Sequence, residues 1–244
     1  MNLNRDIFGQ RPRFAVLIDP DFDTDPRFDR LLSQLSLGMS DIILIGGSSA
    51  HKDNVERVVK KIKEVCDQPI ILFPGNAFHL STNADALFLP SLISGRNADY
   101  LIGKHVESAR MIYDSGIPVF SMGYIMVDGG SISTASYITQ TLPIPANQIG
   151  LAVQTALAGQ LLGLRLLYLE AGSGANYPVT TEMIEAVKNA TNIPLVVGGG
   201  ITDERDIVSV LDAGADMIVL GTIFEKYPDE LSPLYEAFMS HVVL

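Results

Sequence analysis

Eight short, unbroken apolar runs recur through the chain, most of them followed by a segment of helical period. Phe14-Ala-Val-Leu-Ile18 stops at Asp19-Pro20. Asp25 before Pro26 reads as a helix cap with proline at the first helical position. Phe28, Leu31, Leu32 and Leu35 then supply one buried stripe at i, i+3, i+4, i+7. Asp41-Ile-Ile-Leu-Ile45 is the second strand, and Val55, Val58, Val59 and Ile62 mark its helix. Ile70-Ile-Leu-Phe73 is the third; Gly75 to Asn83 behind it is too short and polar for an ordinary helix and predicts a loop. Strand four is Ala86–Leu89, stopped by Pro90, with a helix between Ala98 and Ser115. Strand five runs from Ile117 through Phe120, and Gly123 to Ala146, rich in glycine, serine and threonine, is the longest irregular stretch. Leu166–Glu170, Pro194–Val197 and Met217–Leu220 are strands six to eight. Helices precede Gly163, start near Thr202-Asp203 and end the chain over Leu231–Val242.

Continuous apolar strands without in–out alternation belong to a parallel sheet covered on both faces. Eight strand–helix units in 244 residues predict an α/β fold, a single (β/α)8 TIM barrel over 1–244 with its third helix replaced by a loop. A repeated acidic–strand–turn–hydroxyl phrase supports that reading: Asp41 to Ser48, Asp85 to Ser91 and Asp216 to Thr222.

Composition narrows the function. Hydrophobic residues make up 47% and charged ones 18%, enough for a sizeable core and against disorder. With 17 Lys and Arg against 28 Asp and Glu, the net charge of −11 argues against nucleic acid, whose binding rests on neutralised phosphates. The single cysteine, Cys66, forms no internal disulfide and reads as a small buried hydrophobe, so a reducing, cytoplasmic setting is expected. No leader with an apolar core is visible at Met1. Ile149 to Leu169 is long enough to span a bilayer, but Gln154, Gln160 and Arg165 and a change of period make it helix, turn and strand. A soluble chain without an integral membrane segment is expected.

In such a barrel the site lies at the C-terminal ends of the strands. Glycine concentrates there, in Glu170-Ala-Gly-Ser-Gly174, Gly198-Gly-Gly200 and Gly221-Thr222. Backbone amides bared by glycine approach an anion closely, so the loops after strands seven and eight predict a phosphate cradle. Tight turning alone is the bland alternative for any one pair of glycines. Asp19, Asp21 and Asp23 imitate the start of a calcium loop, but Thr24 and Arg30 stand where glycine and glutamate are needed, which excludes it. Asp21, Asp23 and Asp25 read as solvated or capping. His51, His79, His105 and His241 have no metal-ligand spacing.

Tyr168-Leu-Glu-Ala-Gly-Ser-Gly-Ala175, with Leu17-Ile-Asp-Pro-Asp21, Leu44-Ile-Gly-Gly-Ser48 and Val197-Gly-Gly-Gly-Ile201, resembles the geranylgeranylglyceryl phosphate synthase family. Phe73-Pro-Gly-Asn76, Pro118-Val-Phe-Ser-Met-Gly-Tyr124 and Gly221-Thr222 extend the likeness over nearly the whole chain. The resemblance implies a prenyltransferase joining a polyprenyl diphosphate to the 3-hydroxyl of sn-glycerol 1-phosphate, with Mg²⁺, as an ether-lipid precursor. It implies a barrel lacking its third helix. Glycerol 1-phosphate would lie on Tyr168, Leu169, Glu170, Ala171, Gly172, Ser173, Gly174, Gly199, Gly200, Gly221 and Thr222, and the metal on Asp19 and Ser48. Some relatives carry a lysine beside the first-strand aspartate, where this chain has Leu17-Ile18; that departure points to the geranylgeranyl-type branch.

Within that frame Glu170 is the candidate base, taking the glycerol hydroxyl's proton. Tyr168, two residues earlier on the same strand face, is either a phosphate-binding phenol or a core residue. Phe78, Leu80, Tyr100, Tyr124 and Ile125 are candidates for an apolar groove. A cap role is the alternative for Asp19 and Glu170. The helix Leu151–Leu162 is either core or subunit interface; a homo-oligomer is expected, and any membrane contact would be peripheral, for the lipid product. A phosphate-handling isomerase or lyase, or a prenyl-lipid carrier, are the competing functions.

Overall fold

The computed structural model describes residues 7–9, 11–47, 52–75 and 80–242. Its strands are β1 (Arg13–Ile18), β2 (Ile42–Ile45), β3 (Ile70–Leu72), β4 (Ala86–Leu92), β5 (Val119–Met126), β6 (Leu166–Glu170), β7 (Leu195–Gly198) and β8 (Met217–Leu220). They pair in parallel in chain order, and β8 closes on β1. The helices are α1 (Arg27–Leu35), α2 (Lys52–Lys63), α3 (Lys104–Ser115), α4 (Thr134–Thr139), α5 (Ile149–Leu161), α6 (Thr181–Ala190), α7 (Glu204–Asp212), α8 (Thr222–Lys226) and α9 (Leu231–Val242). Among the described residues no helix lies between β3 and β4, where the sequence predicts a loop in place of the third barrel helix. Glu56 of α2 pins that loop by accepting from Ser81 Oγ and, at 2.7 Å, from Asn83 Nδ2.

Strand alternation divides the core into two layers. Ala15, Leu44, Ile71, Phe88, Met122, Leu166, Tyr168, Val196 and Val219 fill the barrel interior. Their neighbours Val16, Ile43, Leu72, Leu87, Leu167, Val197 and Ile218 meet the helices, with Phe28, Leu31 and Leu35 of α1 and Val55, Val58, Val59 and Ile62 of α2. Ile7 and Phe8 seal the interior from the N-terminal end, Ile7 buried and Phe8 stacked 6.5 Å from Phe88.

Several boundaries differ from the sequence expectation. β4 continues through Pro90. The N–H groups of Leu87 and Ile93 donate toward β5, so the donor that Pro90 lacks belongs on the β3 side, past the last residue of that short strand. β5 runs on to Met126, taking four residues from the stretch expected to be irregular. Helices α6 and α8 were not marked in the sequence reading; Met183, Ile184 and Val187 are the buried stripe of α6. Cys66 follows α2 as a buried free thiol, and burial pushes it up to about 11. No helix among the described residues is long and apolar enough to cross a membrane.

Candidate active site

The inward set of each strand ends in a chemically distinct residue at the C-terminal mouth. β1 continues its inward positions through Leu17 to Asp19, β5 ends them near Tyr124, and β6 presents Tyr168 and then Glu170. Register places Tyr124 beside Tyr168 and Glu170 beside Gly198. Asp19, Tyr124, Tyr168 and Glu170 together line an open cleft of about 500 Å³.

Glu170 is the centre of its electrostatics. It is 8% exposed, and burial raises its carboxyl above the ordinary value; donation from the Tyr168 hydroxyl and from Gly172 N–H, at 2.7 Å, pulls the other way. Burial, followed by the Glu170 charge, holds the Tyr124 and Tyr168 phenols far above their ordinary range. Phe73, Tyr124 and Tyr168 form an aromatic floor, with ring centroids 5.3 to 5.9 Å apart.

The glycines make room for these groups as well as baring amides. A β-carbon at Gly198 would collide with the Tyr168 hydroxyl. At Gly199, where φ is +81°, it would lie 2.6 Å from Glu170 Oε1, and at Gly47 it would strike the Asp19 carboxylate. The loops after β6 and β8 meet at a hydroxyl pair, Ser173 Oγ and Thr222 Oγ1, 2.8 Å apart. The start of α7 is already occupied: Asp203 accepts from Asp206 N–H at 3.0 Å, and Asp206 from Thr202 N–H at 2.9 Å. An anion here therefore meets the glycine amides and the two hydroxyls rather than that helix terminus.

Of the expected substrate positions, Tyr168, Glu170, Gly172, Ser173, Gly174, Gly199, Gly200, Gly221 and Thr222 line the cleft, as do Tyr100, Tyr124 and Asp19. The side chains of Leu169 and Ala171 turn outward into the layer beneath the helices, so either residue could meet a ligand only through its backbone. Ile125 and Leu80 also belong to that layer, which removes them from the groove. Ser48, Asn76, Phe78, His51 and His79 lie outside the described residues. Asp23, expected to be solvated or capping, has a side chain only 1% exposed, paired with Arg57 and Lys61. His105 and His241 bond Pro90 O and Asp212, with no metal cluster among the described residues.

The sequence reading missed the opposite wall and one acid. Ser133, Ala135, Ile138 and Thr139, around α4, face the cleft with Leu92 and Tyr100 and supply an apolar side. Glu225 of α8 also lines it; burial raises its carboxyl, the Asp19 charge adds to that, and Asp19 N–H donates to it. The second acid was detectable only as a carboxylate just past strand eight. Among the described residues the cleft thus gathers Asp19, Glu170 and Glu225 against one lining cation, Lys226.

A closed parallel barrel with a buried carboxylate, glycine loops and an apolar wall at its C-terminal mouth defines a barrel enzyme for an anionic, partly apolar substrate. The chain matches the PcrB family over residues 6–239 and belongs to it. It is 47% identical over 224 residues, 92% of this chain and 90% of the other, to geranylgeranylglyceryl phosphate synthase of Spirosoma linguale. Identity to the protein of that name from Methanosphaera stadtmanae is 40%, over 91% of this chain and 89% of that one. The crystal structure of (S)-3-O-geranylgeranylglyceryl phosphate synthase from Thermoplasma acidophilum with sn-glycerol-1-phosphate superposes with a TM-score of 0.88 at 31% identity, covering 98% of this chain and 96% of that one. Thiamine phosphate pyrophosphorylase from Pyrococcus furiosus, 16% identical with a TM-score of 0.59, shares the fold alone.

Proposed function

We propose that this chain joins a polyprenyl diphosphate, geranylgeranyl in length class, to the 3-hydroxyl of sn-glycerol 1-phosphate. The oxygen–carbon ether bond forms at the allylic carbon, the carbon–oxygen bond to diphosphate breaks, and the hydroxyl proton goes to Glu170. The observation that carries this reading is the buried Glu170 carboxylate, without a cationic partner among the described residues, beside glycine loops and an apolar wall. A raised carboxyl is a stronger base than an exposed one, and its charge favours positive character at the allylic carbon. Gly172 to Gly174, Gly199, Gly200, Gly221 and Thr222 seat the glycerol phosphate, and Tyr168 holds Glu170 in place. Tyr100, Tyr124, Leu92 and Ile138 receive the first isoprene units, with CH₂ burial contributing about 0.8 kcal/mol per group.

Asp19, with Ser48 and with Glu225 alongside, would hold Mg²⁺. The residues fit: oxygen donors suit Mg²⁺, which uses one or two carboxylates plus substrate phosphates, and Gly47, having no β-carbon, leaves room beside the Asp19 carboxylate. Three acids against one lysine cannot seat a diphosphate by side-chain charge alone. Bound Mg²⁺ would supply the missing positive charge for the leaving group. The homo-oligomer expected from the sequence would associate through α5 and the residue after it, a reading supported by the exposure of Leu151, Leu161 and Leu162; sedimentation of the intact protein as a monomer removes it.

Incubation with labelled glycerol 1-phosphate and geranylgeranyl diphosphate, with and without Mg²⁺, tests the reading. Organic-extractable ether product that requires the metal is expected. No product with any donor length overturns it in favour of another phosphate-handling barrel; donor binding without turnover would identify a carrier.

A further inference from the structure

The turn that carries Asp19 is fastened to the helix of the next barrel unit. Asp19 caps a 3₁₀ turn, Pro20–Thr24, and its Oδ1 accepts from Asp21 N–H at 2.9 Å. Asp21 is itself held: Asn54 Nδ2 of α2 donates to its Oδ1 at 2.6 Å. One turn along α2, Arg57 donates through Nε and Nη2 to Asp23 at 2.7 and 2.6 Å, and Lys61 adds a contact at 3.1 Å. The Asp23 side chain is 1% exposed, while the two cations reach it from half-open positions. Positions 54, 57 and 61 occupy one face of α2, so a single helix face grips the turn. That helix also follows the β2 loop containing Gly47, whose backbone abuts the Asp19 carboxylate.

We infer that Asp23, assisted by Asn54, is a positioning residue for the diphosphate side of the site, acting through Asp19. A buried carboxylate held by two cations resists displacement, since moving it breaks three charge-assisted hydrogen bonds at once. The anchor thereby fixes the spacing between the ends of β1 and β2, where the metal and diphosphate are to be held. The glycerol phosphate seat at β6, β7 and β8 shares none of these contacts. The inference rests on the metal reading proposed above.

The test compares wild type, D19N, D23N and N54A. Calorimetry follows binding of Mn²⁺ with inorganic diphosphate, and separately of glycerol 1-phosphate alone. Outer-shell partners of metal ligands commonly cost about 10–100-fold in affinity, and a loss of that order is expected for Mn²⁺–diphosphate in D23N, smaller in N54A, with glycerol 1-phosphate affinity unchanged. D23N in a D19N background should cause no further loss, the non-additivity of residues acting through one another. Asn54 is half-buried and its bond to Asp21 lies at the surface, so N54A keeps the test open if D23N folds poorly. Should wild type not bind Mn²⁺–diphosphate, or D19N bind it equally well, the metal reading itself falls. Should D19N lose binding while D23N or N54A, folded, bind as wild type does, or should D23N weaken both ligands equally, the positioning role is overturned.

Discussion

Glu170 shows how one side chain acquires a role from its surroundings. On an exposed strand end it would be an ordinary acid; here burial raises it, and among the described residues no cation offsets the cost. Two outcomes follow at this position. E170Q should lower turnover about 10²–10⁴-fold, the usual range for general acid–base groups, with little change in glycerol phosphate affinity. The acidic limb of the wild-type pH–rate profile, lying above 4.5, should vanish with it. Stability carries the same signature with its own sign. A carboxyl raised on folding binds its proton more tightly in the native state, so its favourable contribution is complete below the ordinary value and is lost as pH rises through the raised one. E170Q should therefore melt above wild type at pH 8, and the gap should close toward pH 4 in a thermal unfolding series. Gly199 offers a second residue-scale outcome. G199A places a β-carbon 2.6 Å from Glu170 Oε1 at φ +81°, so it should abolish turnover while far-ultraviolet circular dichroism stays native.

Elements follow local periodicity where it is strong and depart from it where a neighbour decides. The stripes on α1, α2 and α9 were readable because their apolar spacing is complete within one helix. Pro90 could not be placed by local rules, since its tolerance depends on β3 ending early beside it. The extension of β5 to Met126 likewise depends on pairing with β6, which reaches Met126 and Glu170. The segment at Ile7 and Phe8 is an element-scale device of its own, a plug under the barrel floor. I7A should cost about 2–5 kcal/mol of stability, as for other fully buried aliphatic truncations, read as a lower denaturation midpoint with an unchanged slope. An unchanged midpoint would remove the plug from the account.

At the scale of the molecule, barrel closure brings eight strand ends to one mouth and collects acids there without matching bases. Chelation should accordingly stop turnover while leaving the melting temperature of the substrate-free protein in place; activity surviving chelation would exclude a role for the divalent ion. The sequence by itself determined the parallel barrel, the missing third helix and the strand ends where glycine, Asp19 and Glu170 stand, because each is written in the spacing of a few adjacent residues. The tertiary structure alone decided that Glu225 adjoins Asp19, that α4 walls the cleft and that Asp23 is gripped by α2. Those facts belong to side chains far apart in the chain, whose burial and partners exist only once the cylinder has closed.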